Sequence, residues 1–371
     1  MRITGLETIP VDIPLKPAVA IRGSKGMHDR SPFLLLRLHT DEGITGLGEV
    51  SATPRWSGED AVTAAHFLET LIAPQIAGQN TADIGNITRI MNRTLAGNWF
   101  TKAAVEMALW DIAGKAAGAP AFRLLGGPLR DFVPTKWSVS GVEPAKAARI
   151  AAWAVEQGFR YLKVKVGIEA EQDVERVRAV REAVGPEVRL GVDANGGWSP
   201  AEAVYAIRRI EDLGIVFAEQ PVPPGDPEAM AQVRRQVRVP ILADESVYTV
   251  EDARALARAG AADAVSVYVG KSGGIGTALE IMAAAGAAGM GATIGSNLEL
   301  GVASAAMIHL ALAAPDLATD LYPCDIIGPL YYEDDVIEEP LPIRPGEARA
   351  TGRPGLGVEL DEAKVHRYRA G

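Results

Sequence analysis

The chain has 371 residues, a formal charge of −10, an ordinary share of charged residues at 23% and one cysteine, Cys324. The acidic balance excludes wrapping of a phosphate backbone, which draws on clustered Lys and Arg, and the lone cysteine excludes an internal disulfide or a cysteine-based zinc site and fits a reducing compartment. Length and apolar share fit a folded chain with one large barrel-type domain and a smaller one attached.

Met1–Pro10 carries Glu7 and Pro10 where a secretory signal needs an apolar run, so a cytoplasmic protein is expected. Short apolar runs at Arg2–Ile13, Phe33–Leu38 and Ile44–Val50, broken by the turn Asp41-Glu42-Gly43, predict antiparallel strands. From Gly58 to Gly118 the texture is helical, with Ala103, Met107, Ala108 and Ile112 at helical spacing. Residues 1–125 thus read as a small α+β domain. Leu125-Gly-Gly-Pro-Leu129 ends it, and from Val133 short apolar strands alternate with amphipathic helices. The strand cores end near Ser140, Lys165, Asp193, Glu219, Asp244, Tyr268, Ser296 and Asp320, and eight such units of about 25 to 30 residues suggest a closed parallel barrel over 126–325 whose strand C-termini share one mouth. Ile281–Ile294, the most apolar stretch, is rich in Ala and Gly and too short to cross a bilayer. The tail, 326–371, is irregular and acidic, with Pro340, Pro342, Pro345 and Pro354, and is expected to pack back over the first domain.

Alternation along a strand decides what faces the barrel interior. In Tyr161–Val166 it turns Leu162, Val164 and Val166 towards the helices and Lys163 and Lys165 inward. The same parity places Asp193 and Asn195 inward, groups Glu219 with Phe217, and groups Asp244 with Leu242. A lone Lys-x-Lys is ordinarily a pair of solvated lysines; three carboxylates on three consecutive strand ends change that reading. Unpaired, they would repel strongly in a site of low dielectric. A divalent cation answers this most simply, and hard oxygen ligands favour Mg2+, with Mn2+ possible. The alternative is a salt-bridge network with Lys163, Lys165 and arginines.

Lys163-Val-Lys165, Asp193-Ala-Asn195, Glu219-Gln-Pro221, Asp244-Glu-Ser246 and Lys271-Ser-Gly-Gly274, in this order and spacing, resemble the enolase superfamily, within it the mandelate racemase/muconate lactonizing enzyme family and its muconate-lactonizing-like subgroup. The junction Leu124-Leu-Gly-Gly-Pro128 and the ending Gly355-Leu-Gly-Val-Glu-Leu360 extend the likeness over nearly the whole chain. The resemblance implies a modified TIM (β/α) barrel of the α/β class under an α+β capping domain built from both termini. It also implies Asp193, Glu219 and Asp244 as magnesium ligands, Lys165 as general base, Lys163 as a carboxylate-binding lysine, a small-molecule carboxylate substrate and a homo-oligomer. Removing the proton α to a carboxylate creates an enolate dianion that needs cations already in place. A lysine base must be neutral, and positive charge from the metal and Lys163 moves its pKa in that direction.

The chain also departs from its relatives. Many carry a second lysine on the sixth strand, three residues before the Lys-x-Gly-Gly motif, where this chain has Tyr268. Ser266, Tyr268 and Gly270 share the inward parity, so Lys271 is not an automatic substitute and reads as structural. Two-base racemization loses ground, although Tyr268 could donate a proton or hold a substrate group. Thr293–Glu299 lacks the histidine of acid-sugar dehydratases, His309 reads as a packed histidine in an Ala-rich helix, and Asp320-Leu-Tyr322 lacks the Asp-x-Asp of dipeptide epimerases. Glu299 matches a glutamate of muconate-lactonizing relatives and is expected on the lysine side, with Asn195, among the substrate-binding residues. Specificity is expected from Ile21–His28 and Ser51–Trp56. There Arg22, Lys25, His28 and Arg55 could bind a second anionic group, and Gly23 and Gly26 would let the first loop close.

The leading expectation is a cycloisomerase-type reaction on a dicarboxylate such as cis,cis-muconate. The alternatives are a hydroxy-acid dehydratase, or a racemase or epimerase of N-acyl amino acids or dipeptides using Tyr268. Outside this chemistry stand a Schiff-base aldolase barrel and a non-catalytic binding protein.

Overall fold

The computed structural model describes residues 1–28 and 30–370, apart from the side chains of residues 18, 28, 30 and 31. The cap begins with a three-stranded antiparallel sheet in which Arg30–Thr40 lies between Ile3–Pro14 and Thr45–Val50. Successive strand residues face opposite sides, and the central strand uses both. Phe33 and Leu35 enter the core shared with the barrel, whereas Leu34, Leu36 and Leu38 pack with the cap helices. The strand Thr45–Val50 lies very close on the helix Trp99–Ala117: a Cβ at Gly46 or Gly48 would stand 2.1 or 1.9 Å from the carbonyl oxygens of Ala108 and Ala104.

Seven parallel strands follow in sequential order: Trp137–Val139, Tyr161–Lys165, Arg189–Asp193, Ile215–Glu219, Ile241–Ala243, Ala264–Val267 and Gly291–Ile294. Helices such as Pro144–Glu156, Ala170–Val184 and Pro200–Ile210 return the chain between them. Two of the connecting helices start on capping boxes, Ser199 with Glu202 and Thr249 with Asp252, which satisfy amides that a helix start leaves open. The fold is a modified (β/α) barrel under an α+β cap.

The eighth strand expected to end near Asp320 does not form as a strand. The ring is closed instead by isolated parallel bridges, Ala292 to Leu317 and Thr135 to Cys324, with the Asp325 amide donating to the Ile294 carbonyl at 2.8 Å. Pro323 has no amide to give, which keeps this edge from building a regular ladder. Asp320 is exposed, and the acid that reaches the barrel end in this segment is Asp325.

Tyr161, Phe217, Leu242, Ala264 and Tyr322 fill the lower barrel interior, leaving the upper layer to the charged residues of the same inward parity. Beyond the closure the chain returns to the cap, where Arg369 bridges Val11 and the helix Glu362–Tyr368 packs on the first strand. Two buried glutamates join cap to barrel. Glu49 accepts the amides of Leu300 and Ala303, at 2.8 and 2.9 Å, around the start of the helix Gly301–Ala313. Glu106 accepts those of Ile275 and Gly276, at 2.8 and 2.9 Å, at the start of Ile275–Ala287. Burial pushes the Glu49 carboxyl up to about 8. No described helix is long and apolar enough to cross a membrane.

Candidate active site

The second barrel strand delivers both lysines to the interior, as parity requires. Lys163 is almost fully buried. Its ammonium lies 3.2 Å from each carboxylate oxygen of Glu219, 2.8 Å from Asp325 and 3.3 Å from Asp193. Burial alone would lower its pKa, but Asp325, Glu219 and Asp193 together hold it well above the usual lysine value. Lys165, one layer higher, donates to Asp193 at 2.6 Å and to the side-chain oxygen of Asn195 at 2.9 Å. Burial would raise the Asp193 carboxyl, yet Lys165 and Lys163 hold it well below the usual range. Glu219 goes the other way, because burial and the charges of Asp193, Asp244 and Asp325 outweigh Lys163.

The sixth strand lies four positions round the barrel from the second and presents a different wall. Tyr268 donates its hydroxyl to Asp244 at 2.6 Å, and its ring stacks on Trp56 of the cap, centroids 5.3 Å apart and planes 14° apart. Burial, then Asp244, Glu219 and Glu245, hold the Tyr268 hydroxyl far above the usual phenol value. Lys271 is fully buried. It bonds the other Asp244 oxygen, the Asp244 carbonyl at 2.7 Å and the Ser266 carbonyl at 2.9 Å, with its ammonium 4.3 Å from the Tyr268 ring centre. Lys271 therefore joins the carboxylate network directly, which the parity argument did not foresee.

Between cap and barrel lies a cavity of about 420 Å³. Its floor includes Lys163, Lys165, Asn195, Tyr268 and Asp325, and its cap side includes Ile21, Lys25, Met27, Arg55 and Trp56. Arg55 has no carboxylate partner among the described residues. Two expected substrate-binding residues fall elsewhere. The Arg22 side chain is exposed and outside the cavity lining; it is the backbone of Arg22 that matters, pinning the hairpin Ile21–Gly23/Gly26–His28 to the end of the first barrel strand through Ser140 Oγ at 2.8 Å and the Gly141 amide at 2.7 Å. Glu299 is buried behind the wall, where it accepts from Ser296 Oγ and from the Asn297 amide at 2.9 Å and so shapes the loop that lines the cavity. The His28 side chain lies outside the described residues. His309 is a satisfied core histidine, accepting the Phe122 amide on Nδ1 at 3.1 Å, with burial lowering its pKa to about 4.

Asp193, Glu219 and Asp244 stand at the ends of three adjacent strands, each about 1% exposed. Their oxygens turn onto Lys163, Lys165, Lys271 and Tyr268, so among the described residues no group of three carboxylate, histidine or cysteine side chains is spaced to enclose a metal ion. Lys163 and Lys165 take the places expected of them in a salt-bridge network, but its third cation is Lys271 rather than an arginine. The donor set nonetheless fits a hard divalent ion: three carboxylates on neighbouring strand ends bring hard oxygen donors to one buried place, and burial first, then the neighbouring carboxylates, push Glu219 towards its neutral form.

Three participants escaped the sequence reading. Asp325 was hidden because the last strand was ended five residues early. Lys136, which pairs with Asp325 at 3.1 Å, precedes the first strand and had no motif. Glu245 sits inside the quoted Asp244-Glu-Ser246, but parity drew attention only to Asp244. Gln220, at φ 35°, accepts the Asp244 and Ser246 amides on its side-chain oxygen at 2.9 and 3.2 Å and ties the fourth strand end to the fifth.

Comparison with known proteins matches residues 4–126 to the mandelate racemase/muconate lactonizing enzyme N-terminal domain and residues 145–364 to the enolase C-terminal domain-like model. The chain is 33% identical over 365 residues to an N-succinyl-L-Arg/Lys racemase of Bacillus cereus, covering 98% of this chain and 96% of that one. It is 32% identical over 372 residues to the chloromuconate cycloisomerase CbnB of Cupriavidus necator, covering 99% of each. Among solved structures, a dipeptide epimerase from Enterococcus faecalis complexed with Mg and the dipeptide L-Leu-L-Tyr superposes with a TM-score of 0.92 at 31% identity, covering 97% of this chain and 100% of that chain.

Proposed function

Because the chain belongs to the mandelate racemase/muconate lactonizing enzyme family of the enolase superfamily, we propose that it abstracts the proton α to a substrate carboxylate from one face only, with Lys165 as the base. The observation that carries this reading is the commitment of the Tyr268 hydroxyl to Asp244. Among the described residues the wall opposite Lys165 then offers no free base, which favours cycloisomerase-type chemistry over two-base racemization.

Asp193, Glu219 and Asp244 would hold magnesium, an ion also present in the dipeptide epimerase structure. When bound it supplies Lewis-acid stabilisation of the developing enolate. Lys163, which here neutralises the carboxylates, becomes available to the substrate carboxylate. Lys165 takes the α-proton of a lactone, and the ring C–O bond breaks as its internal carboxylate leaves; the reverse reaction closes the ring and returns the proton to carbon. Arg55, without a carboxylate partner among the described residues, suits a second anionic group across the apolar surface of Ile21 and Met27. The same base and wall also serve a hydroxy-acid dehydration, in which hydroxide leaves in place of the carboxylate. A Schiff-base route is disfavoured because it has no use for three buried carboxylates on adjacent strand ends.

The test is solvent exchange: a carboxylic-acid library in deuterated water with magnesium, parent beside Lys165→Ala, read by NMR. Metal-dependent deuterium uptake at an α-carbon that is lost in the variant supports the reading. Uptake insensitive to both metal and Lys165 would falsify it. The product then separates the reactions as lactone, keto acid or inverted stereocentre.

A further inference from the structure

Glu245 is buried and outside the cavity lining, yet three donors from separate elements converge on its Oε1. These are the Trp56 indole and the Asn195 side-chain amide, each at 3.1 Å, and the Lys25 ammonium at 3.4 Å. Lys25 and Trp56 belong to the cap; Asn195 follows the third barrel strand. The second oxygen, Oε2, is buried without a partner, so the orientation this carboxylate imposes passes through a single atom.

A primary amide has donors on one end and an acceptor on the other. With its Nδ2 held by Glu245, Asn195 must turn Oδ1 the other way, and Oδ1 accepts from Lys165 Nζ at 2.9 Å. The rest of Asn195 is equally constrained. Its φ of 44° lies in the left-handed region that few residues with a Cβ adopt. Its carbonyl accepts the Ser24 hydroxyl at 3.2 Å, and a Cβ on the overlying Gly23 would come within 3.2 Å of Oδ1.

We propose that Glu245 is a positioning residue for the base: held by Lys25 and Trp56 of the docked cap, it fixes the Asn195 amide and thereby aims Lys165 Nζ at the substrate. This rests on the reading of Lys165 as the base. It couples proton transfer to the seating of the cap through one relay, although Glu245 itself does not line the substrate cavity.

The kinetic test uses α-deuterium exchange on the acid that exchanges fastest in the library screen, with magnesium, for Glu245→Ala, Asn195→Ala and the double variant. Each single variant is expected to lose on the order of 10- to 100-fold in kcat, the effect of misplacing a reacting group slightly, with KM little changed. The double variant should be no slower than the slower single one, because both act on one seat, and Glu245→Gln, which keeps an acceptor oxygen, should recover most of the rate. Losses that multiply in the double variant, or a raised KM with kcat intact, overturn the proposal. Should Glu245→Ala fail to fold, Lys25→Met is compared in the parent and in Asn195→Ala: a loss of kcat confined to the parent supports the relay, and equal losses overturn it. A crystal structure of Glu245→Ala, or of Glu245→Met if the alanine variant does not fold, needs no turnover and so separates this proposal from the reading beneath it. A turned Asn195 amide with Lys165 Nζ off Oδ1 is expected, and an unchanged Asn195–Lys165 pair overturns the relay.

Discussion

The second-strand and sixth-strand walls of the barrel mouth are built from similar residues to opposite ends. On the second strand, Lys163 and Lys165 both line the cavity and pair with carboxylates around and below it. On the sixth, the charge is withdrawn: Lys271 is sealed behind the stacked rings of Tyr268 and Trp56, and the Tyr268 hydroxyl is bonded to Asp244. A lysine with an inward register faces the cavity; a lysine three residues beyond the inward Tyr268, with the same charge but paired to Asp244, is a brace. Register, not composition, separates the two.

This contrast can be broken experimentally. The largest effect is expected for Lys165→Ala, which should lower exchange on the order of 100- to 10,000-fold, the usual contribution of a positioned acid–base group; a smaller loss there with a larger one in Lys271→Ala would reverse the two walls. Chelation should abolish exchange, and isothermal titration should show magnesium binding that disappears in Glu219→Ala. If titration shows no binding to the parent, the carboxylates are the closed ion-pair network drawn here and nothing more.

A sharper discrimination comes from Tyr268→Phe. If the hydroxyl only holds Asp244, exchange should fall by less than about tenfold, while stability drops by roughly 1–3 kcal/mol because a buried acceptor loses its donor. Burial and the surrounding carboxylates keep Tyr268 protonated well past pH 10, so the alkaline limb of the pH–rate profile should be the same in parent and Tyr268→Phe. A limb that vanishes in the variant would make the tyrosine a second proton carrier. Arg55→Met is expected to be the mildest change, raising KM severalfold for a doubly anionic substrate and leaving kcat alone.

What could be read from the sequence follows the same division. Strand parity located Lys163, Lys165, Asn195 and the three carboxylates because one residue of slip would invert every side chain, and inversion would have buried charges among Val164, Val192 and Val265. Parity fails where a strand fails. Asp325 lies beyond Pro323 on an edge too short to show alternation, so ending the strand at Asp320 looked equally good. Loop residues carry no periodicity at all: Arg22 and Lys25 were indistinguishable by chemistry, and only the hairpin geometry turned one outward and the other onto Glu245. Glu299 was placed in the right loop but on its far side, because a carboxylate that shapes a loop and one that meets a ligand leave the same letter.

The two glutamates at the joint, Glu49 and Glu106, bear on how such a molecule could be recombined. Together they satisfy four amide groups at the starts of two barrel helices from across the domain boundary. A cap transplanted from a relative that lacks an acceptor at either point would leave buried donors stranded, at a cost of roughly 1–3 kcal/mol for each. Cap and barrel in this chain are therefore not interchangeable parts: a chimera must inherit the acceptor with the helix it serves, whatever it changes in the loops that meet the substrate.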